Sequence, residues 1–327
     1  MGVRYPADYA SAFQRVVFEL SGVELDAEGC VAVDILQNYN SEATGEKFYY
    51  GQNSVEVDVS AYARAALNVE PATWSGLRMD RDRSVLMSVR VAGEQSEKVV
   101  VCAATQPLPI NALLSQLTKR TIALDECDEI AFVTDEREVT PTITVITQTG
   151  TIMELGGEMF LSEKGVVVFG LKVAEVVAEV QSRGVEPEDI VQIIVSVKMG
   201  AEERIRVTYE VAQCTRGVRM AWVNRWGAID YYTFPNVVVS RLVAHSQAVA
   251  EEPCLTYTEC EISSDIVPES IAEALSEIVA SPKVWLVSGD VYTPCQVATE
   301  SVEWSNNSAP TAVKLVVRTQ NTPQSNE

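Results

Sequence analysis

Six short runs rich in Val, Ile and aromatic residues fill the first hundred positions, at 15–20, 31–36, 47–50, 54–59, 85–91 and 98–103. Apolar and polar residues alternate most clearly in 54–59 and 85–91, the period of a strand with one face buried. Many short strands at regular spacing predict a β-sandwich or barrel-like unit, ending near Gln106-Pro-Leu-Pro109. One short helix, 61–67, follows its strand directly, with Ser60 placed to cap it.

A second unit is expected from Ile110 to Gln213. The run 110–117 reads as a helical turn, and strands are expected at 129–133, 142–147 and 166–170. The segment 172–180 mixes Ala and Glu, which favour helix, with Val, which favours strand. A hairpin around Gly200 joins 193–198 to 205–210. A strand running straight into a helix-like stretch occurs at 55–67 and again at 166–180, the pattern a diverged duplication would leave.

The last third holds strand 255–262 and a helix, 269–279, opened by Pro268 with Ile271, Leu275 and Ile278 on one stripe. A hairpin follows around Ser288-Gly-Asp290, with Pro294 marking an edge or a bulge in its second strand, and then a final strand at 312–318. The fold class is therefore mainly β (β-rich α+β), two or three β-sandwich or barrel-like domains with a few short helices. The expected divisions are 1–107, 108–213, a C-terminal α+β domain at 214–320, and a flexible tail at 321–327.

Charge and chemistry narrow the function. The 25 Lys and Arg stand against 46 Asp and Glu, a formal net charge of −21. A chain that drew affinity from phosphates would show a basic stripe, whereas the cations here are scattered among acids, as in Asp80-Arg-Asp-Arg83. No apolar run is long enough to cross a bilayer, and the N-terminus lacks the order of a secretory signal, so the chain is expected to fold in the cytoplasm. Phosphate-cradling loops, HExxH, EF-hand spacing and GxSxG are absent from the sequence, and the one histidine, His245, has neither a nucleophile nor a second metal ligand at a recognisable spacing. Its seven cysteines form no CxxC pair and read as reduced thiols. The acidic run Asp125-Glu-Cys-Asp-Glu129 reads as a solvated loop. No catalytic residue, metal, cofactor or small-molecule substrate is expected.

One segment stands apart. Trp222-Val-Asn-Arg-Trp-Gly-Ala-Ile-Asp-Tyr-Tyr-Thr-Phe234 concentrates aromatics in a chain that has only 7% of them. It reads as two strands joined at Asn224-Arg-Trp-Gly227, with Gly227 supplying left-handed backbone. Alternation places Trp222, Asn224 and Trp226 on one face, and Tyr231 and Thr233 together on the next strand. Two roles are open: a buried hairpin that holds a domain together, or a partner surface built from Trp222, Asn224, Arg225, Trp226, Gly227, Asp230, Tyr231, Tyr232 and Phe234.

The pattern Trp222-X-Asn224-Arg225-X-Gly227-X-X-Asp230-Tyr231-X-X-Phe234, followed by Ser281-Pro-Lys-Val-Trp-Leu286 and Pro294-Cys-Gln-Val297, resembles tail-associated structural proteins of phages and prophages of gut Bacteroidetes. The match covers mainly the last third, with Val55–Tyr62 similar to a strand-then-helix element of the same group. The resemblance implies a non-enzymatic virion component of the distal tail or baseplate, assembled in the host cytoplasm. It would form a homo-oligomeric ring with other tail proteins, through which DNA passes without being bound. An acidic channel wall would keep that polyanion from sticking. The alternatives are a carbohydrate- or protein-binding β-sandwich with Trp74, Trp226 and Trp304 as stacking platforms, and a β-rich hydrolase with a carboxylate pair.

Overall fold

The computed structural model describes residues 2–38, 40–214, 217–245, 255–302 and 311–320. The first unit contains β1 (Gly2–Arg4), β2 (Tyr9–Ser11), β3 (Val17–Ser21), β4 (Cys30–Gln37), β5 (Gly45–Tyr50), β6 (Ser54–Asp58), α1 (Ser60–Ala66), β7 (Gly76–Asp80), β8 (Ser84–Val91), β9 (Glu94–Gln95) and β10 (Val99–Cys102). The second contains β11 (Ala112–Leu113), β12 (Lys119–Ala123), β13 (Cys127–Val133), β14 (Glu138–Thr147), β15 (Ile152–Gly156), β16 (Phe160–Leu161), β17 (Val166–Lys172), α2 (Val173–Gln181), β18 (Ile190–Met199) and β19 (Glu202–Ala212). The third contains β20 (Val218–Val223), β21 (Ile229–Phe234), β22 (Asn236–His245), β23 (Leu255–Val267), α3 (Glu269–Ala280), β24 (Val284–Ser288), β25 (Val291–Pro294), β26 (Gln296–Val297) and β27 (Thr311–Gln320). The protein is mainly β, as its sequence predicts.

The duplication glimpsed in the sequence extends through two whole units. The small sheet β1-β3-β6 recurs as β11-β13-β17, and the large sheet β2-β10-β8-β4-β5 recurs as β12-β19-β18-β14-β15. The parallel pairing at the edge of the large sheet is repeated too, β2 beside β10 and β12 beside β19. In both units the last small-sheet strand runs straight into the helix.

The third unit uses the same plan from a different starting point. Its sheet β21-β20-β24-β25 matches β5-β4-β8-β10, and β23-β27-β26 matches β6-β3-β1, with α3 again between the two sheets. Read along the chain, it is a circular permutant of the first two, beginning at the strand equivalent to β4 and ending at that equivalent to β3. Such permutation is tolerated where the ends of a domain lie close together. No described strand corresponds to β2 or β12, so β25 is an edge; it ends at Pro294, which has no N–H to offer another strand. Two residues later, at Gln296, the chain has crossed to the opposite sheet.

Alternation along the strands builds the layers. In β10, Val99 and Val101 point into the core of the first sandwich. Val100 and Cys102 point the other way, against Ala131, Val133, Val166 and Val168 of the second unit's small sheet. Ile130, Phe132, Val167 and Phe169 on the far side of that sheet face the second core. The first two units thus stack large sheet on small sheet, and a strand buried on both faces, such as β10, reads as a continuous apolar run.

The helices follow their stripes. In α2, Val173, Val176, Val177 and Val180 are buried on one face, which settles the mixed segment 172–180 as helix. In α3, Ala272, Leu275 and Ile278 are buried, and Pro268 sits at the N-cap. In α1, Ser60 is the first helical residue rather than the cap, and its N–H donates to the Asp58 carboxylate at 2.9 Å.

Two expectations fail. The run 110–117 is not helical: it is an extended connector whose Leu113, Leu114 and Leu117 pack into three different cores. Nor do the sheets divide at residue 107, because β7 of the first unit pairs with β17 of the second. The expected tail, 321–327, lies outside the described residues, as do Cys254 and Trp304.

Candidate functional site

The hairpin forms as expected, with Trp222 opposite Asp230 and Val223 opposite Ile229. Asn224 closes its loop. The Asn224 Oδ1 accepts the N–H groups of Trp226 (2.9 Å) and Ala228 (3.2 Å), while Nδ2 donates to the Leu114 carbonyl (2.7 Å) and to Asp230 (2.9 Å). Gly227 has φ of +71°, and a Cβ there would lie 2.6 Å from the backbone C and O of Ala103. Both the turn and this close approach require glycine.

The loop touches all three units. The Arg225 carbonyl accepts the Thr105 N–H of the first unit at 2.8 Å. Leu114 belongs to the connector that opens the second unit. The Arg225 guanidinium grips Glu277 and Glu273 on α3, and its N–H donates to Glu277 at 2.9 Å. The hairpin is an internal junction.

The side chains nominated as a partner surface are consequently mostly interior. Trp222 and Phe234, each 0% exposed, pack with Leu275 and Ile278 of α3. Tyr231 faces the other side with Trp285 and Val287, its hydroxyl 3.2 Å from that of Tyr292. Asn224, Gly227 and Asp230 are also buried. In a single chain these groups have no surface to offer; only Arg225, Trp226 and Tyr232 are half-buried. Trp222, Asn224 and Trp226 do not share a face, because β20 ends at Val223 and Trp226 packs in the layer between the first two units. Tyr231 and Thr233 lie on one face, as expected, and Arg219 of β20 reaches both. The proposed stacking platforms carry cations already: Arg78 over Trp74 at 5.6 Å and Arg225 over Trp226 at 5.5 Å.

Beside the hairpin lies a feature missed in the sequence. The acidic run 125–129 is not a solvated loop: Glu126, Asp128 and Glu129 are buried, and only Asp125 is exposed. Asp128 accepts from Arg120, from Arg219 Nη2 at 2.6 Å and from the Tyr209 hydroxyl at 3.2 Å. Arg219 Nε lies 3.5 Å from Glu126, and Arg120 Nη2 lies 3.4 Å from Asp230. Glu129 pairs with Arg83, which also meets Asp80 at 2.8 Å, and accepts the Ala72 N–H at 2.8 Å. Adjacent residues of β13 therefore tie the second unit to the third, through Asp128, and to the first, through Glu129. The readable signal was Arg219, embedded in Val218-Arg-Met-Ala-Trp222, because a cation inside an apolar run must be buried with a partner.

Burial shifts the titrations here. Desolvation raises Asp230 to about 6, although Arg120, Ser115 and Asn224 pull it down. It also raises Asp80 against the pull of Arg83, and lifts Tyr209 and Tyr231 well above their ordinary range. Burial opposes the charge of Arg120, yet Asp128, Tyr209 and Asp230 hold its proton more tightly than usual. Because Asp230 has a folded pKa above its unfolded value of 3.8, the folded state binds more protons between pH 4 and 6. Its contribution to stability should rise as pH falls through about 6. Denaturation midpoints at pH 7.5 and 5.5 check this: Asp230→Asn should remove that part of the pH dependence, and an unchanged dependence would refute the assignment.

This junction is built for cohesion, since each carboxylate named faces a guanidinium or an amide. Among the described residues no group of three or more His, Cys, Asp or Glu is placed to hold a metal ion. Cys30, Cys102 and Cys127 are buried free thiols, and Cys214 is an exposed one. Among the described residues no helix is long and apolar enough to cross a membrane. No protein-family model matches the chain, and no curated protein matches it.

Proposed function

We propose that the protein is a non-enzymatic structural component of a phage tail or phage-like particle, assembling with copies of itself and with neighbouring tail proteins as a ring around the DNA channel. The observation that carries this reading is the reuse of one sandwich plan three times, with the units locked together by a buried ionic junction. The contact between the first two units is already heterologous, a large sheet on a small one, and heterologous contacts repeated between chains generate rings when the rotation closes.

The sequence resemblance supports the same reading, because it centres on Trp222 to Phe234, the segment that joins the units. The net charge of −21 favours a wall that DNA slides past. The test is sedimentation velocity with negative-stain microscopy on the purified full chain. Closed rings of uniform size are expected. A chain that stays monomeric at high concentration would overturn the proposal.

A further inference from the structure

In the first two units the chain leaves the edge of the small sheet, pairs in parallel with the edge of the large sheet, and returns as the next small-sheet strand. The order is β1, β2, β3 in one and β11, β12, β13 in the other. The stretches that make this excursion are 5–16 and 114–126, of 12 and 13 residues. In the third unit the strands equivalent to β1 and β3 are β26 and β27, and 298–310 lies between them, again 13 residues. The permutation moves the ends of the domain but keeps this connection whole. Of the stretch, 298–302 are described, and they stay on their own unit. The Ala298 N–H donates to the Val316 carbonyl of β27 at 2.8 Å, the Val316 N–H donates to Thr299 Oγ1 at 2.8 Å, and Val302 packs against the third core.

The edge of β25 is set up for such a strand. The Cys295 N–H donates to Val284 at 2.9 Å, so by alternation Tyr292 and Pro294 turn their backbone groups away from β24. Their counterparts in β10 are Val100, whose N–H donates to the Asp8 carbonyl at 3.1 Å, and Cys102, whose carbonyl accepts the Ala12 N–H at 2.9 Å. Tyr292 offers both groups and Pro294 its carbonyl. Among the described residues no strand pairs with this edge, and Val291 is 59% exposed where all four residues of β10 are buried. A cavity of about 560 Å³ lies beside it, lined by Ile278 and Val279 of α3, by Trp285, and by Pro294, Cys295 and Val297. In the first unit the chain leaving β2 lies against the helix in the same way, its Ala12 carbonyl accepting from Arg64 of α1 at 2.8 Å.

We infer that β25 receives Val302-Glu-Trp-Ser-Asn306 of its own chain as a parallel fifth strand, which completes the third large sheet. The occupant is in the same chain because the excursion begins and ends on the same unit and has the length the other two units use. Alternation puts Trp304 on the face of Val302, toward the core. A cavity of about 150 Å³ holds a benzene ring, so about 560 Å³ has room for the indole. The third unit then has no open large-sheet edge at β25 for another chain to extend, and contacts between copies lie elsewhere. This holds whether or not the chain forms rings.

Amide hydrogen exchange on the wild-type chain tests it. The Tyr292 N–H and alternate N–H groups within 302–306 should exchange about a hundredfold more slowly than in a free peptide. Replacing 303–309 by a Gly-Ser linker of equal length should speed exchange at Tyr292 about tenfold and leave Trp222, in the same sheet, unchanged. A synthetic peptide of residues 301–309, added to that variant, should restore slow exchange at Tyr292. Free-peptide rates throughout 302–306 in the wild type, or a Tyr292 rate indifferent to the linker, would overturn the inference. Protection that vanishes on dilution to the monomer would assign the strand to a second copy and overturn it equally. The wild-type rates decide the case even if the linker variant does not fold.

Discussion

Replacing Asp128 by alanine should destabilise the protein by about 3–5 kcal/mol, the cost of removing one partner from a buried ion pair. Asp128 accepts from Arg120, Arg219 and Tyr209, all buried, so its loss leaves two guanidinium groups in the interior short of a counter-charge. A typical domain has only about 5–15 kcal/mol of stability in total. Chemical denaturation should therefore show a large fall in midpoint, or the chain should fail to fold at all. The control is three residues away: Asp125, in the same acidic run, is exposed, and Asp125→Ala should change stability by less than about 0.5 kcal/mol. Equal, small effects at both positions would mean that the run is solvated after all.

Gly227→Val should come close behind. A side chain in left-handed backbone costs about 1–2 kcal/mol, and more for a β-branched residue. Overpacking adds about 1–3 kcal/mol, because the new Cβ would lie 2.6 Å from the Ala103 backbone, which cannot rotate away. Gly289 separates the two terms. It also has positive φ, at +60°, but the nearest atom to a Cβ there is 3.6 Å away, so Gly289→Ala should show the backbone cost alone. Denaturant midpoints of the two variants check the difference. If Gly227→Val is no worse than Gly289→Ala, the hairpin does not press on the first unit.

Much of the fold was legible because core-facing residues recur at every second position, Val55 and Val57 in Ser54–Asp58 and Val85, Met87, Val89 and Val91 in Ser84–Val91. The duplication was visible only where a strand runs directly into a helix; the rest of the correspondence lies in pairing order, which local pattern does not record. The connector at 110–117 misled because its leucines are spaced like a helical stripe but serve three separate cores. The junction was illegible for a related reason. Arg83 and Glu129 are 46 residues apart, and Arg219 and Asp128 are 91 apart, so an acidic run looks solvated until the distant cations arrive. The hairpin was found from its aromatics, but its role lies in Asn224 and Gly227, whose partners Leu114 and Ala103 belong to other units.

The hairpin loop is an internal junction of three sandwiches rather than an open surface loop. Amide hydrogen exchange on the full chain measures this directly, because amides that open only with global unfolding exchange slowest. The N–H groups of Trp226, Gly227 and Ala228, together with that of Thr105, which bonds to the Arg225 carbonyl, should be protected nearly as well as those of β20. Exchange of these four as fast as in an exposed turn would contradict the account.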